Sequence, residues 1–299
     1  MKSKYIILTF LVLSTLAFGA DADSAIFGKD LITNILAYDK EGSLHLGALF
    51  TMLQSTYFKP LFLGVIIGVP GIFFIHYMII GPMIFSHDRK KIYVFTLFNR
   101  IIHTIAGIAF ILLVPTGLVI MFGTTFGGGQ FVIICREIHA ISTLLFIVSV
   151  FPMFFMWVRW MFVHWDDFKW LMIVGGYLNK NKKPVPAGKF NAGQKMWFWL
   201  ATLGGVVMIL TGVAMYFQDF RLEILTSWGI SQIDFLRGSA IVHNGLGLAV
   251  TALFFTHVYM SVFAIKGAIH SIITGYKEEE EVEILHSSYY KRLKNAKKL

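Results

Sequence analysis

Ten histidines stand in the 299-residue chain, and five of them (His76, His103, His139, His243 and His257) fall in or at the ends of long apolar runs. An ionisable side chain in lipid is costly and by default marks a functional position. Any one of these rings, taken alone, is as readily a hydrogen-bonded packing residue as a ligand, so the layout of the set carries the argument. His243 and His257 are 14 residues apart. On one helix that is about 21 Å, and 14 steps of about 100° end about 40° short of four turns, so both rings share a face. His139 is expected at the depth of His243, and His103 at the depth of His257. Each depth then draws one imidazole from each of two helices. A bis-imidazole haem needs this arrangement: a flat macrocycle between helices, a neutral ring nitrogen on each side of the iron, and each ring oriented through its other N–H. Two such centres make an electron path across a bilayer.

The surroundings of these residues are less decisive. Arg100 lies three residues before His103 and Arg136 three before His139, one turn toward the surface in each case. Both suit haem propionates, and snorkelling at span ends explains them equally well. His76 has no partner at its depth and reads as a helix-contact residue in the middle of its span. His45, His87, His164, His270 and His286 fall in loops or the tail and are not expected to be ligands. Cys135 is the only cysteine, so neither an intrachain disulfide nor a CxxCH haem attachment can form.

The elements that must position these rings follow from composition. Hydrophobic residues make up 56% of the chain and charged ones 14%, against about 45–50% and about 25% for a soluble protein. A soluble enzyme, a disordered tail and a collagen-like chain are excluded. The apolar runs are unbroken rather than alternating, which selects helices over a β-barrel. Five runs follow the N-terminus: about Leu61–Phe85, Ile101–Phe122, Ile138–Phe162, Met196–Phe217 and Ala240–Ile265. The segments between them carry 17 Lys and Arg on one side and 6 on the other. By the positive-inside rule the mature N-terminus is periplasmic and the C-terminus cytoplasmic. The net charge of +9 is therefore a topology signal, and no nucleic-acid partner is expected.

Lys2 and Lys4, the apolar stretch Ile6–Phe18 and Ala20-Asp21-Ala22 have the pattern of a secretory signal peptide over 1–22; a retained short anchor is the alternative. The chain then divides into an outer segment with an additional span (23–95), a four-helix domain (96–277) and a cytoplasmic tail (278–299). Trp157, Trp160, Trp165, Trp197 and Trp199 fall near the predicted cytoplasmic boundary, as an aromatic belt should. Gly64 and Gly68 have the spacing of a helix-packing face. The acidic run Glu278–Glu281 reads as solvated surface.

One polar turn stands out, Gly188-Lys189-Phe190-Asn191-Ala192-Gly193-Gln194-Lys195. Asn191 with Gln194 three positions on is a capping-box-like helix start. The same amides and backbone N–H groups could hold the oxygens of a quinone head group beside the inner histidines. The two roles are compatible.

With these residues in hand, the chain resembles a family: the cytochrome b (gamma) subunit of membrane-bound respiratory formate dehydrogenases. The resemblance is carried by Gly188–Trp199, by His243 and His257 with the following Tyr259, Met260, Phe263, Lys266 and Gly267, and by Arg100-x-x-His103 and Arg136-x-x-His139. It covers about residues 95–277. It implies an all-α transmembrane bundle of the di-haem cytochrome b type, in a bacterial inner membrane. His139 and His243 would hold an outer haem b, and His103 and His257 an inner one. Asn191, Gly193 and Gln194 would lie at a menaquinone site. Electrons would come from an iron–sulfur beta subunit fed by a molybdenum or tungsten catalytic alpha subunit that oxidises formate outside. The export signal and the additional span depart from the compact four-span form, and they could contact partner subunits or other copies of the chain. The four-His layout is shared with cytochromes b of hydrogenases and other periplasmic oxidoreductases, so the donor has that alternative. A transporter would show broken helix pairs and polar midplane residues, and a cofactor-free anchor would leave four aligned histidines unexplained.

Overall fold

The computed structural model describes residue 44 and residues 46–297. The signal peptide expected over 1–22, the outer segment up to residue 43 and His45 lie outside the described residues. In chain order the helices are α1 (Leu46–Ile79), α2 (Leu97–Met121), α3 (Gly129–Trp160), α4 (Trp165–Met172), α5 (Ala192–Tyr216), α6 (Glu223–Ser227), α7 (Gln232–Ala264), α8 (His270–Thr274), α9 (Glu279–Leu285) and α10 (Ser287–Asn295). Five of them, α1, α2, α3, α5 and α7, are long and apolar enough to cross a membrane. The chain is a multi-pass, all-α membrane protein.

Local chemistry sets the helix starts. At α2 the Thr96 hydroxyl accepts from the Asn99 N–H, and the Asn99 side-chain oxygen accepts from the Thr96 N–H, both at 3.2 Å. At α7 Ser231 accepts from the Asp234 N–H at 3.2 Å. This helix begins at Gln232 rather than at the expected Ala240, because Asp234 and Arg237 do not end it. Both are buried, 3.9 Å apart, and the Asp234 carboxylate accepts from the N–H groups of Leu44 and Leu46 at 3.1 and 3.4 Å. Those bonds also fasten the start of α1 to α7. Accordingly α1 starts at Leu46, not Leu61, and it stops at Ile79. Phe85, placed in the span by its hydrophobicity, is instead buried beyond the helix end against Ile265 and Leu285.

Helices α2 and α3 pack closely, as do α5 and α7, and α1 lies mainly along α7. The shared core is Ala109, Phe110, Val114, Phe146, Val150, Ala201 and Val250, drawn from α2, α3, α5 and α7. Few of the span residues are buried within the chain; the apolar remainder faces outward, where hydrocarbon can cover it without an aqueous penalty. Nothing lies within 4 Å of where a Cβ would stand at Gly64 or Gly68. The expected packing face is therefore open among the described residues.

One end of the bundle carries a polar cap, here termed the tail end. Strand β1 (Lys91–Tyr93) pairs antiparallel with β2 (Tyr276–Glu278), with Ile92 opposite Lys277. Gly275 makes the turn into β2 at φ +90°, where a Cβ would stand 2.6 Å from the Phe95 carbonyl, so no other residue fits without displacement. The acidic run is not a solvated surface. Glu278 holds His87 and Lys91 at 2.9 and 3.3 Å, Glu280 holds Lys182 at 2.8 Å, and Glu281 is buried and paired with Lys277. A run of like charges survives there because Glu278 and Glu280 meet cations from other segments, Glu281 pairs with Lys277 four residues before it, and Glu279 accepts from the Tyr290 hydroxyl at 2.8 Å. The Lys182 ammonium holds the Glu280 carboxyl below the usual carboxylate range.

Candidate functional site

The four singled-out histidines meet as two couples at two depths. His103 of α2 faces His257 of α7 with ring centroids 6.0 Å apart. His139 of α3 faces His243 of α7 at 6.3 Å. All four rings are half-buried. The separations can be tested against the group they would hold. A metal–imidazole nitrogen bond is about 2.0 Å, so nitrogens on opposite sides of one ion stand about 4 Å apart. With each ring centroid about 1 Å behind its nitrogen, centroids about 6 Å apart are required, and both couples meet this. Among the described residues no set of three or more His, Cys, Asp or Glu gathers as a metal site. A tetrahedral four-ligand centre is thus not built, and the couples suit a metal whose other ligands lie in a plane between them. That is a haem.

The two couples are supported differently. The Thr116 hydroxyl donates to the Leu112 carbonyl at 2.6 Å, so its oxygen accepts from the His139 Nδ1–H at 3.0 Å. Thr211 likewise donates to Val207 at 2.8 Å and accepts from the His243 Nδ1–H at 3.1 Å. Both bonds fix the Nδ1–H tautomer and leave Nε2 of each ring free to bind a metal. The next residue is a glycine each time: a Cβ on Gly117 or Gly212 would stand 3.2 or 3.3 Å from the imidazole Cε1. A Thr-Gly pair therefore supports each ring of this couple, an acceptor followed by clearance. The sequence reading missed both pairs, although the dipeptide repeats at the right depth in two spans.

At the tail-end couple indoles do the holding. Trp197 stacks on His257 at 5.6 Å, and Trp157 lies 6.3 Å from His103. Trp165 is exposed. Trp157 is buried, and both it and Trp197 belong to the couple. The orphaned donors point the same way. The buried Nε atoms of Arg100 and Arg136 and the indole N–H of Trp157 have no hydrogen-bond partner among the described residues. Arg100 spends Nη1 on the Ile273 carbonyl, and Arg136 reaches Glu137 at 3.3 Å. Unsatisfied buried donors at both depths are what acceptors such as propionates would complete.

The polar turn closes the tail-end side. Asn191 and Gln194 form the full capping box of α5, with bonds of 2.9 and 3.0 Å. The side-chain oxygens are used in the cap, and the two amide NH2 groups remain as donors. Gly193 permits close packing, since a Cβ there would meet the Trp170 ring at 3.2 Å. Phe190 packs on Trp157 at 5.6 Å, and Trp197 lies one turn beyond Gln194, so the turn touches both sides of the couple. It is anchored by Lys195, whose ammonium is buried against Asp167 at 2.7 Å and the Phe162 carbonyl at 3.0 Å. Asp167 of α4 was not foreseen, because nothing in its own segment marks it as the partner of Lys195. His76 sits in the last turn of α1, not mid-span. Its Nδ1 bonds the Tyr259 hydroxyl at 2.6 Å and its Nε2 donates to the Tyr177 carbonyl at 2.8 Å, a helix contact as expected.

A membrane bundle with facing imidazoles at two depths is a membrane cytochrome of the b type. The chain belongs to the prokaryotic cytochrome b561 family, whose model matches residues 94–275. Family membership implies haem b. The chain is 28% identical to the cytochrome b556(Fdn) subunit of the nitrate-inducible formate dehydrogenase of Escherichia coli K12, over 70% of this chain and 95% of that one. It is 23% identical to the cytochrome b556(fdo) subunit of formate dehydrogenase of the same organism, over 69% and 95%. It is 28% identical to a formate dehydrogenase cytochrome b556 subunit of Haemophilus influenzae, over 53% and 63%.

The threonine support predicts a measurable effect. Thr116→Val and Thr211→Val each remove a hydroxyl acceptor of an imidazole Nδ1–H and lower the basicity of that ring, with the smaller effect at His243, whose Nδ1–H keeps the Met208 carbonyl at 3.1 Å. The expected result is a higher midpoint potential for that centre alone, with haem retention weakened by about 10-fold. Redox titration of the purified protein, followed in the visible spectrum, checks it; equal shifts at both centres would contradict it.

Proposed function

We propose that this chain is the membrane anchor and electron-transfer subunit of a respiratory formate dehydrogenase, carrying electrons from an iron–sulfur beta subunit to menaquinone on the cytoplasmic side. The observation that carries the reading is the pair of imidazole couples, each spaced for one iron; the named relatives support formate dehydrogenase as the setting. His139 and His243 hold one haem b, and His103 and His257 the other. Bound there, the two groups would supply one-electron centres, and their ligands on α7, His243 and His257, are about 21 Å apart along the helix. Arg136 and Arg100 neutralise propionates. The Asn191 and Gln194 amides donate to quinone oxygens, with the Gly193 backbone close enough for the ring to approach. The tail end faces the cytoplasm, in keeping with the Lys and Arg asymmetry, so quinone takes its protons there. Formate is oxidised in the molybdenum or tungsten alpha subunit, and this chain oxidises none itself. The complex lies in the bacterial inner membrane, with the mature N-terminus in the periplasm.

The test is mass spectrometry of the co-purified subunits with a dithionite-reduced spectrum of the same sample. A b-type spectrum at two haems per chain, with a molybdopterin subunit present, is expected. A folded chain without haem absorbance overturns the reading, and a nickel-containing partner replaces formate dehydrogenase by hydrogenase. Gln194→Ala is expected to raise the quinone KM by about 10-fold, the effect of losing one hydrogen bond in a dry site.

A further inference from the structure

The tail beyond residue 275 lies outside the family match, yet it is stitched to the family's polar turn. The Val185 N–H donates to the Ile284 carbonyl at 2.7 Å. The Ser287 N–H and hydroxyl donate to the Val185 carbonyl at 3.1 and 2.8 Å. The Tyr289 N–H donates to the Ala187 carbonyl at 3.2 Å. The last link is a side chain. His286 is buried, and its Nδ1 lies 2.8 Å from the Gly188 carbonyl; a carbonyl only accepts, so Nδ1 carries the proton. Gly188 itself is crowded: a Cβ there would stand 3.2 Å from an Arg292 nitrogen. Burial, with the Lys277 charge adding to it, pushes the His286 pKa down to about 3, so the ring is a neutral donor at neutral pH. The other end of the same tail is tied through β2, Glu278 and Glu280 to the loop between α1 and α2, and through Glu280 to Lys182 ahead of the polar turn. The segment 185–190 thus has its backbone held on one side by α9 and α10, and it leads straight into Asn191 and Gln194.

We propose that the C-terminal tail is a positioning frame for the quinone site, with His286 as the positioning residue that fixes Gly188 and, through it, the Asn191–Gln194 amides. The inference rests on the quinone reading of that turn. His286 touches neither imidazole couple, so its removal acts on substrate affinity and not on the redox centres.

The test uses the whole purified complex with a water-soluble naphthoquinone as acceptor. His286→Leu is expected to raise the quinone KM by about 10-fold, the cost of one buried unpaired carbonyl, at unchanged haem content and potentials. His286→Asn, whose amide N–H can take the place of Nδ1–H, is expected to restore KM to near the parent value. An unchanged KM in His286→Leu, or failure of His286→Asn to restore it, overturns the proposal. If His286→Leu does not accumulate, Ser287→Ala removes the neighbouring hydroxyl bond with less disturbance and must raise KM; no rise overturns the proposal. Gln194→Ala in the same assay separates the two claims. If it leaves KM unchanged, the quinone reading of the turn fails; if it raises KM and His286→Leu does not, only the tail's role fails.

Discussion

His257→Ala is expected, on the proposed di-haem function, to remove one of two haems and nearly all electron transfer to quinone. The His103 ring faces His257 across 6.0 Å. Alanine leaves that side of the gap without a nitrogen, and no other His, Cys, Asp or Glu is gathered there among the described residues to replace it. Removing even an outer-shell partner of a metal ligand costs about 10–100-fold in metal affinity or activity, so loss of the ligand itself sets a floor at about 100-fold. The couple at His139 and His243 is held by Thr116 and Thr211 from other helices, about 21 Å away along α7, and should survive. A haem assay is expected to give half the parent content per chain, and quinone reduction should fall by at least about 100-fold. Retention of two haems with parent spectra would remove His257 from the ligand set. Added imidazole is expected to restore part of the lost absorbance, because the substitution leaves a ring-sized space opposite His103.

The second large effect is one of stability. Asp167→Ala strands the Lys195 ammonium, which is buried and keeps only the Phe162 carbonyl as partner. It also deprives the His164 N–H of its acceptor at 2.7 Å, undoing the cap of α4. Breaking a buried pair from one side costs about 3–5 kcal/mol, whereas replacing both members by apolar groups of similar volume is often neutral. Asp167→Leu combined with Lys195→Met is therefore expected to recover most of the stability lost in Asp167→Ala. Denaturation of the detergent-solubilised protein across the cycle of parent, Asp167→Leu, Lys195→Met and their combination, with Asp167→Ala alongside, measures this. If the double variant is as unstable as the single one, the penalty does not come from an uncompensated charge. Because Lys195 ends the polar turn, the same cycle should show quinone affinity falling with stability in the single variant.

Local chemistry made much of this visible in advance. Apolar runs long enough to cross a bilayer have one economical solution, since unsatisfied backbone groups in hydrocarbon are expensive, so the five helices were legible as runs. Their ends were not. Asp234 and Arg237 look like a boundary, yet they lie inside α7 because they meet each other and the start of α1. The depth of each histidine followed from its distance to a span end, and the shared face of His243 and His257 followed from helix period. The capping box at Asn191 and Gln194 was likewise local, and it formed as read.

The linear chain by itself therefore determined the class, the number of spans and the depth of four imidazoles, because helix rise, helix period and hydrophobicity act over neighbouring residues. It could not say which side chains stand beside those imidazoles. Thr116 and Thr211 reach rings on other helices, 23 and 32 positions away. Trp157 and Trp197 turn toward the tail-end couple rather than lipid, Asp167 finds Lys195 across 28 positions, and His286 finds Gly188 across 98. These are contacts between elements, set by how the helices rotate and pack against one another, and only the folded bundle decides that.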